Sequence, residues 1–184
     1  MDDAVLTTDR LVLRPPADGH LAWILAEMNT VAVMRYLGGV VRAPEVVRAE
    51  FNADIESFGQ LTGHRRWTVW RRADNRRIGR CGLFRVRTEA APAFLRGQTE
   101  IGWTLAEANW GQGFATEAAR AVIAFAFDTV GSTIIYAQTS DSNLPSTRMM
   151  VRLGFVARPE LGYFDPDYPP EDSPTTVWSS CSAD

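Results

Sequence analysis

Residues 109–119 read NWGQGFATEAA and place two glycines, Gly111 and Gly113, directly before an alanine-rich segment. Alanine is the strongest helix former, so the segment predicts a helix that begins after Gly113. The first amide N–H groups of a helix have no acceptor inside it, and the helix dipole makes that end positive. Glycines leave those donors unobstructed, so residues 111–116 are suited to bind an oxyanion such as a phosphate. From this stretch alone, an ordinary strand-to-helix turn is an equal alternative.

Strand and helix patterns alternate along the rest of the chain without a repeat or a linker. Alternating apolar and polar residues predict strands at 10–15, 65–72, 77–88, 98–105 and 132–139, with a further candidate at 175–182. Apolar residues at helical spacing predict helices at 18–29, 44–61 and 144–154, in addition to the one after Gly113. Residues 155–174 are expected to be irregular. The pattern therefore predicts a mixed α/β (α+β) fold.

The size and charge of the chain limit its partners. Its 184 residues, 46% of them hydrophobic, suit one domain over residues 1–184 with a core of its own. The 19 basic residues nearly balance the 22 acidic ones, so we expect neither nucleic acid nor a membrane surface as a partner. No apolar run approaches the length of a membrane helix, and the acidic start is unlike a secretory leader, so we expect a soluble, cytoplasmic protein.

The residue types present exclude several kinds of chemistry. Every basic residue is arginine, so the chain has no lysine for a Schiff base or for a GxxxxGK[ST] phosphate loop. Two cysteines, Cys81 and Cys181, and two histidines, His20 and His64, show no metal-ligand spacing. We therefore expect no metal, and we expect both histidines at the surface. A dinucleotide-binding GxGxxG motif is the nearest competitor, but Thr116 replaces its third glycine and the expected downstream carboxylate is missing.

Segments along nearly the whole chain resemble the GNAT N-acetyltransferases, and within them the RimJ/RimL-like type that acetylates ribosomal-protein N-termini. They are TDRLVLRPPADGH (8–20), VMRYLGG (33–39), RIGRCGLFRV (77–86), TEIGWTL (99–105), WGQGFATEA (110–118) and SNLPSTRMMVRLGF (142–155), in the order of that family. The chain departs from the wider superfamily at Trp110, where glutamine or arginine is usual, a change that this subgroup tolerates.

The resemblance implies both a fold and a donor substrate. The fold is a single mixed, mostly antiparallel sheet of about six to seven strands, splayed between the fourth and fifth predicted strands and flanked by helices on both faces. The donor is acetyl-coenzyme A, whose pantetheine arm enters the gap and whose pyrophosphate meets the glycine loop. The implied cofactor-binding residues are Trp103, Thr104, Leu105, Trp110, Gly111, Gln112, Gly113, Phe114, Ala115, Thr116 and Asn143. For Asn143, an Asx turn before the following helix is the structural alternative.

Glu100 is the predicted general base. An amine is mostly protonated at pH 7 and cannot attack a thioester until it loses that proton. Strand alternation puts Glu100 on the face opposite to Ile101, and burial there raises a carboxyl pKa toward a useful value. An ion pair with Arg85 or Arg87 on the neighbouring strand is an equal alternative.

Ser146 is the predicted proton donor. Many members of the superfamily carry a tyrosine seven residues after the asparagine, but here that position is Met150. Ser146 matches a serine of the subgroup, and it either protonates the leaving thiolate or holds a water that does. Capping of local amides is its structural alternative. Tyr136 and Tyr163 are further candidates for the acid.

The acceptor is constrained least by the sequence. The resemblance implies that the first two helices and a late loop at 163–174 form its site, and this loop contains Asp165, Asp167, Glu171 and Asp172. These carboxylates either attract a cationic amine or form a solvated surface. The expected acceptor is a primary amine, at a peptide or protein N-terminus or on a small molecule, and a homodimer is an open alternative. A catalytically weak sensor or regulatory module that binds coenzyme A is the alternative function, favoured by the missing tyrosine.

Overall fold

The computed structural model describes residues 5–58 and 65–182, and it contains an eight-stranded sheet. The strands are β1 (Leu6–Thr7), β2 (Leu11–Arg14), β3 (Arg65–Arg71), β4 (Arg76–Arg85), β5 (Thr99–Leu105), β6 (Ile134–Ser140), β7 (Val156–Phe164) and β8 (Pro174–Cys181). Their order in the sheet is β1-β2-β3-β4-β5-β6-β8-β7. Neighbouring strands are antiparallel except β5 and β6, which are parallel. The predicted mixed, mostly antiparallel sheet is confirmed.

The sheet has more strands than the six to seven predicted. β1 has only two residues, which is too few to show a pattern. β7 lies in the segment 155–174 that was expected to be irregular, and that expectation is wrong. The strand is at the sheet edge, contains Pro159 and is mostly exposed. Neither of its faces is consistently buried, so its sequence lacks the alternation that burial of one face produces.

The predicted helices are also present. In the described residues the α-helices are α1 (Leu21–Trp23), α2 (Val31–Met34), α3 (Pro44–Phe58), α4 (Phe114–Asp128) and α5 (Leu144–Arg152). A 3₁₀ turn at Asp18–His20 and a π-helical turn at Ile24–Met28 flank α1, so residues 18–28 form the helical segment predicted there. Residues 59–61 of the predicted second helix lie outside the described residues. None of the helices in the described ranges has the length and apolar content to cross a bilayer.

Helices cover both faces of the sheet. On one face, Val122 of α4 and Met150 of α5 share a core cluster with Trp67 of β3. On the other face, Asp54 of α3 forms ion pairs with arginines of β3 and β4. A second apolar cluster joins α1, α2 and α3 on that side, with Phe51 at 2% exposure. The predicted arrangement with helices on both faces is confirmed.

β5 and β6 diverge at the centre of the sheet, as predicted for the splay. Among the described residues, the register between them consists of one position, Glu100 opposite Tyr136. Beyond Glu100, β5 continues to Leu105 for about 16 Å of extended chain. Because the two strands are parallel, their carboxyl ends lie at the same edge of the sheet. Both α4 and α5 therefore begin at that edge, on either side of the gap.

His20 is buried, in contrast to the predicted surface position. Its Nδ1 lies 3.1 Å from Thr68 Oγ1 of β3, and its ring packs edge-on against Trp70 with 5.5 Å between ring centroids. The 3₁₀ turn that precedes α1 brings the imidazole onto the sheet, and helical periodicity alone does not reveal this. Burial, together with the charges of Arg77 and Arg80, lowers the pKa of His20. His64 lies outside the described residues.

Candidate active site

The loop before α4 ends in a left-handed backbone conformation that two glycines provide. Gly111 has a φ of +72° and Gly113, the N-cap of α4, has a φ of +79°. Residues with a Cβ rarely adopt this region, so glycine is required for this turn. In the part of the chain that the structure describes, no group accepts a hydrogen bond from the amide N–H of residues 111–116. The start of α4 therefore presents a row of unpaired donors.

The side chains of the loop hold its shape and leave those donors uncovered. Trp110 Nε1 donates to the carbonyl of Leu105 at 2.8 Å, and Gln112 Nε2 donates to the carbonyl of Ala108 at 3.1 Å. A Cβ on Gly111 would meet no atom within 4 Å. Phe114 is 6% exposed and packs in the core, so only its main chain is available to a ligand. Residues 111–113 are exposed, so the main chain on this side of the loop, its open face, is accessible to solvent.

The main chain of β5 faces the gap at alternate residues. Ala106 N donates to Ile78 O, so even-numbered residues of β5 bond to β4. The main-chain groups of Trp103 and Leu105 consequently point toward β6, into the gap. The main-chain groups of Thr104 point toward β4. Only the side chain of Thr104 is therefore left for the predicted contact with the cofactor. Of the three residues implied on this strand, two have main-chain groups suited to bonding a chain laid between β5 and β6.

Glu100 lies at the inner end of the gap and is part of a chain of hydrogen bonds. Gln138 Nε2 of β6 donates to Glu100 Oε2 at 2.5 Å, and Tyr163 Oη of β7 donates to Gln138 Oε1 at 2.8 Å. Burial raises the pKa of Glu100, although the Gln138 bond and the charge of Arg66 act in the opposite direction. Burial and nearby acidic groups also raise the pKa of Tyr163, so its phenol is neutral.

The arginine pairing considered as the alternative for Glu100 is absent in the described residues. Arg85 donates to the carbonyl of Gly97 at 3.0 Å and to Thr99 Oγ1 at 3.1 Å. Within residues 5–58 and 65–182, no cation lies within salt-bridge distance of the Glu100 carboxylate. The carboxylate is therefore held by a neutral amide, which constrains its position without fixing its charge.

Gln138 is a residue of this site that the sequence analysis missed. The sequence contains a signal for Gln138. It lies on the same face of the strand predicted at 132–139 as Tyr136, which was already a candidate for the acid. The position of Tyr163 has no such signal, because β7 was not predicted as a strand. Tyr136 is buried and packs edge-on against Phe94, with 6.5 Å between ring centroids.

Asn143 and Ser146 lie at the start of α5, at the same sheet edge as the glycine loop. Asn143 is the N-cap of α5, and its Oδ1 accepts from Ser146 N at 3.3 Å. The side chain of Asn143 therefore caps the helix, and the Asx turn considered for it is absent because residue 145 is proline and has no N–H. The hydroxyl of Ser146 has no hydrogen-bond partner in the described part of the protein, so it does not cap local amides. Met150 points into the core at 1% exposure and offers no acid at the gap.

The segment after α2 contacts the late loop on the face of α1–α3. Asp165 and Asp172 are 6% and 4% exposed, so for these two the expectation of a solvated surface is wrong. Ser142 Oγ donates to Asp172 Oδ1, and Arg35 Nη2 lies 3.9 Å from the same oxygen. Asp172 therefore joins the loop after β6 to the segment after α2.

Comparison with known proteins identifies the family of this chain. The family described as "Acetyltransferase (GNAT) domain" matches residues 10–156. An uncharacterized N-acetyltransferase of Bacillus subtilis, YoaA, is 29% identical over 154 residues, which cover 82% of each chain.

Solved structures share the whole fold. A spermidine N-acetyltransferase from Vibrio cholerae, in complex with coenzyme A and spermine, superposes with a TM-score of 0.74 at 18% identity, covering 95% of this chain and 96% of that one. RimL, a ribosomal-protein α-N-acetyltransferase in complex with coenzyme A, superposes with a TM-score of 0.74 at 15% identity, covering 96% and 97%. At these identities the likeness shows the fold alone.

Proposed function

Because this chain belongs to the GNAT acetyltransferase family, which moves acetyl groups from coenzyme A to amines, we propose that it acetylates a primary amine by direct attack in a ternary complex. Acetyl-coenzyme A supplies an activated acyl carbon as a thioester. The residues of this chain then bind the donor, orient the acceptor and assist two proton transfers, one from the amine and one to the leaving sulfur. Positioning the amine against the thioester contributes more to the rate enhancement than either proton transfer does.

The observation that carries the proposal is the row of unpaired amides at residues 111–116 beside an open gap in the sheet. A diphosphate fits this row because backbone donors and the helix dipole both favour an anion there. Trp103 and Leu105 have main-chain groups directed into the gap, where they would bond the amides of the pantetheine arm. The distance of about 16 Å from the sheet edge to Glu100 would bring the thioester close to that carboxylate.

Glu100 is assigned the role of base. Its buried carboxylate accepts a proton from the amine, directly or through one water, so that the nitrogen lone pair can attack the acetyl carbon. The carbon–nitrogen bond forms and the carbon–sulfur bond breaks. The nitrogen of the protonated amine loses two protons in all, one to Glu100 before the attack and one after the carbon–nitrogen bond has formed. The departing sulfur, to which Ser146 donates a hydrogen bond, gains one of them, and Glu100 releases the other to solvent. Because a thiol titrates near 8.5, the thiolate is a good leaving group and this second role is the smaller one.

The acceptor is a primary amine at a peptide or protein N-terminus, as the RimJ/RimL-like motifs suggest, or on a small molecule. Structural neighbours of this fold include enzymes named for spermidine and for a ribosomal protein, so both classes belong in a screen. The late loop contains the acidic residues Asp165 and Asp172, so acceptors that carry positive charge are included in that screen.

The test is turnover with a panel of polyamines, amino-acid amides and N-terminal peptides, following release of free thiol from acetyl-coenzyme A. We expect at least one amine to raise thiol release well above the hydrolysis measured without acceptor. Tight binding of acetyl-coenzyme A with no acceptor-dependent thiol would instead support a sensor, the function that buried Met150 favours. Absence of coenzyme A binding would contradict both functions.

A further inference from the structure

Arg10, in the turn between β1 and β2, contacts the glycine loop from the side opposite to its open face. Its Nε donates to Glu117 Oε2 at 2.6 Å, and its Nη1 donates to the carbonyl of Gln112 at 3.0 Å. Its guanidinium carbon lies 4.7 Å from the centre of the Phe114 ring. A Cβ built on Gly113 would lie 3.4 Å from Arg10 Nη2. One side chain thus contacts Gln112 and Phe114, on both sides of Gly113.

Arg10 is itself held in place by the first turns of α4. The Glu117 carboxylate accepts from Thr8 Oγ1 at 2.6 Å and from Arg10 N at 2.9 Å, in addition to Arg10 Nε. These hydrogen bonds lower the pKa of Glu117, although partial burial acts against them. Its side chain is 18% exposed, compared with 50% for Arg10. The Glu117 carboxylate therefore fixes both the main chain and the side chain of Arg10.

The bond from Arg10 to Gln112 determines the direction of the next amide. In a trans peptide the C=O and the following N–H point in opposite directions, and the described chain has no cis peptide. Because the carbonyl of Gln112 points toward Arg10, the N–H of Gly113 points away from it, toward the open side of the loop. Glycine at position 113 has little intrinsic preference for this peptide orientation, so something outside the loop must select it.

We propose that Arg10 is a positioning residue for donor binding: through Gln112 O, it orients the Gly113 N–H toward the diphosphate of the donor. The inference rests on the proposed function, in which the amides of 111–116 bind that diphosphate. Arg10 acts through the loop, because its Nε and Nη1 are already engaged by Glu117 and Gln112. Loss of this contact frees the peptide to rotate and removes one charge-assisted bond to the ligand.

The test compares coenzyme A with pantetheine, which lacks the diphosphate and the 3′-phosphoadenosine attached to it. Only coenzyme A can therefore engage the loop. For Arg10→Gln, we expect the Kd of coenzyme A to rise about ten- to a hundredfold, the range for a hydrogen bond to a charged group. The Kd of pantetheine should stay within about twofold of wild type. Calorimetry suits coenzyme A, and an NMR titration suits the weaker pantetheine.

Arg72→Gln is the matched control. Arg72 donates to the carbonyls of Thr8 and Asp9 in the same turn, at 2.9 and 3.0 Å, but its side chain donates no hydrogen bond to residues 111–114 in the described structure. Removal of its charge should leave both Kd values near wild type. If Arg10→Gln does not fold, Arg10→Lys carries the same test, because lysine keeps the charge but cannot bond Glu117 and Gln112 together.

The outcomes separate this inference from the function on which it rests. A wild-type protein that binds coenzyme A no better than pantetheine contradicts the diphosphate role of the loop, and this inference with it. A wild-type preference for coenzyme A that survives Arg10→Gln overturns this inference alone. Equal weakening of both ligands by Arg10→Gln also overturns it, because Arg10 would then support the fold generally.

Discussion

At the level of single residues, the Glu100 carboxyl combines burial with a neutral hydrogen-bond partner. Burial raises its pKa above the ordinary value of 4.5. A base works only when deprotonated, so kcat should rise with pH through this raised pKa. Glu100→Gln should lower kcat at neutral pH by about a hundredfold or more. The loss should shrink as pH rises, because the acceptor amine then loses its proton to solvent. The measurement is kcat against pH for both proteins.

Arg85→Gln is the control for this change. Arg85 lies on the adjacent strand and bonds Gly97 and Thr99, so its removal alters nearby charge without touching Glu100. Its pH profile should follow that of wild type. Full activity of Glu100→Gln at neutral pH would reduce Glu100 to a structural partner of Gln138.

The sequence identifies Glu100 as a candidate but not its surroundings. Strand alternation is a local property, so the face on which Glu100 lies follows from the residues beside it. Its partners come from β6 and β7, which the sheet order brings near β5 although they are 38 and 63 positions away in the chain. Such a network depends on strand order, and strand order is not contained in local periodicity.

At the level of elements, the start of α4 depends on glycine at position 113. Gly113→Val should weaken coenzyme A binding by at least tenfold, because valine disfavours the positive φ of +79° that directs the amides of the loop, and its Cβ would lie 3.4 Å from Arg10 Nη2. Gly131→Val is the matched control, since Gly131 has a φ of +72° and open space around it but lies beyond the far end of α4. The measurements are Kd and the free energy of unfolding.

Both substitutions should cost similar stability, because both force valine into the same backbone region. Only Gly113→Val should lose affinity for coenzyme A. Unchanged affinity in Gly113→Val, or an equal loss in Gly131→Val, would remove the assigned role of the loop.

The strands that the sequence predicted have at least one buried face. β3, β4 and β5 each contribute residues to the core under α4, and burial of that face imposes the alternation that predicts them. β7 is exposed at most positions, so no such constraint acts on its sequence. The glycine loop was predictable for another reason: adjacent residues alone indicate its two glycines with positive φ and the unpaired amides at the helix start. The role of Arg10 depends on a contact across 102 positions and left no local signal.

At the level of the whole molecule, a partly buried ion cluster ties α3 to the sheet. Asp54 Oδ2 accepts from Arg80 Nη2 and lies 3.5 Å from Arg66 Nη1, so one carboxylate joins α3, β3 and β4. The Arg80 side chain is 10% exposed, and its guanidinium carbon lies 5.5 Å from the centre of the Phe51 ring. Burial lowers the pKa of Arg80 to about 10, which still leaves it charged at neutral pH.

Asp54→Asn should therefore destabilise the fold more than the loss of a surface ion pair does. The variant keeps the shape of the side chain but leaves the buried Arg80 charge without its carboxylate, which costs about 3 kcal/mol in comparable buried pairs. Adding Arg80→Met removes the uncompensated charge and fills similar volume, so the double variant should recover much of that stability. Urea unfolding of the two variants and wild type measures the effect. A double variant no more stable than Asp54→Asn would mean that packing by the arginine stem, rather than charge compensation, holds α3 on the sheet.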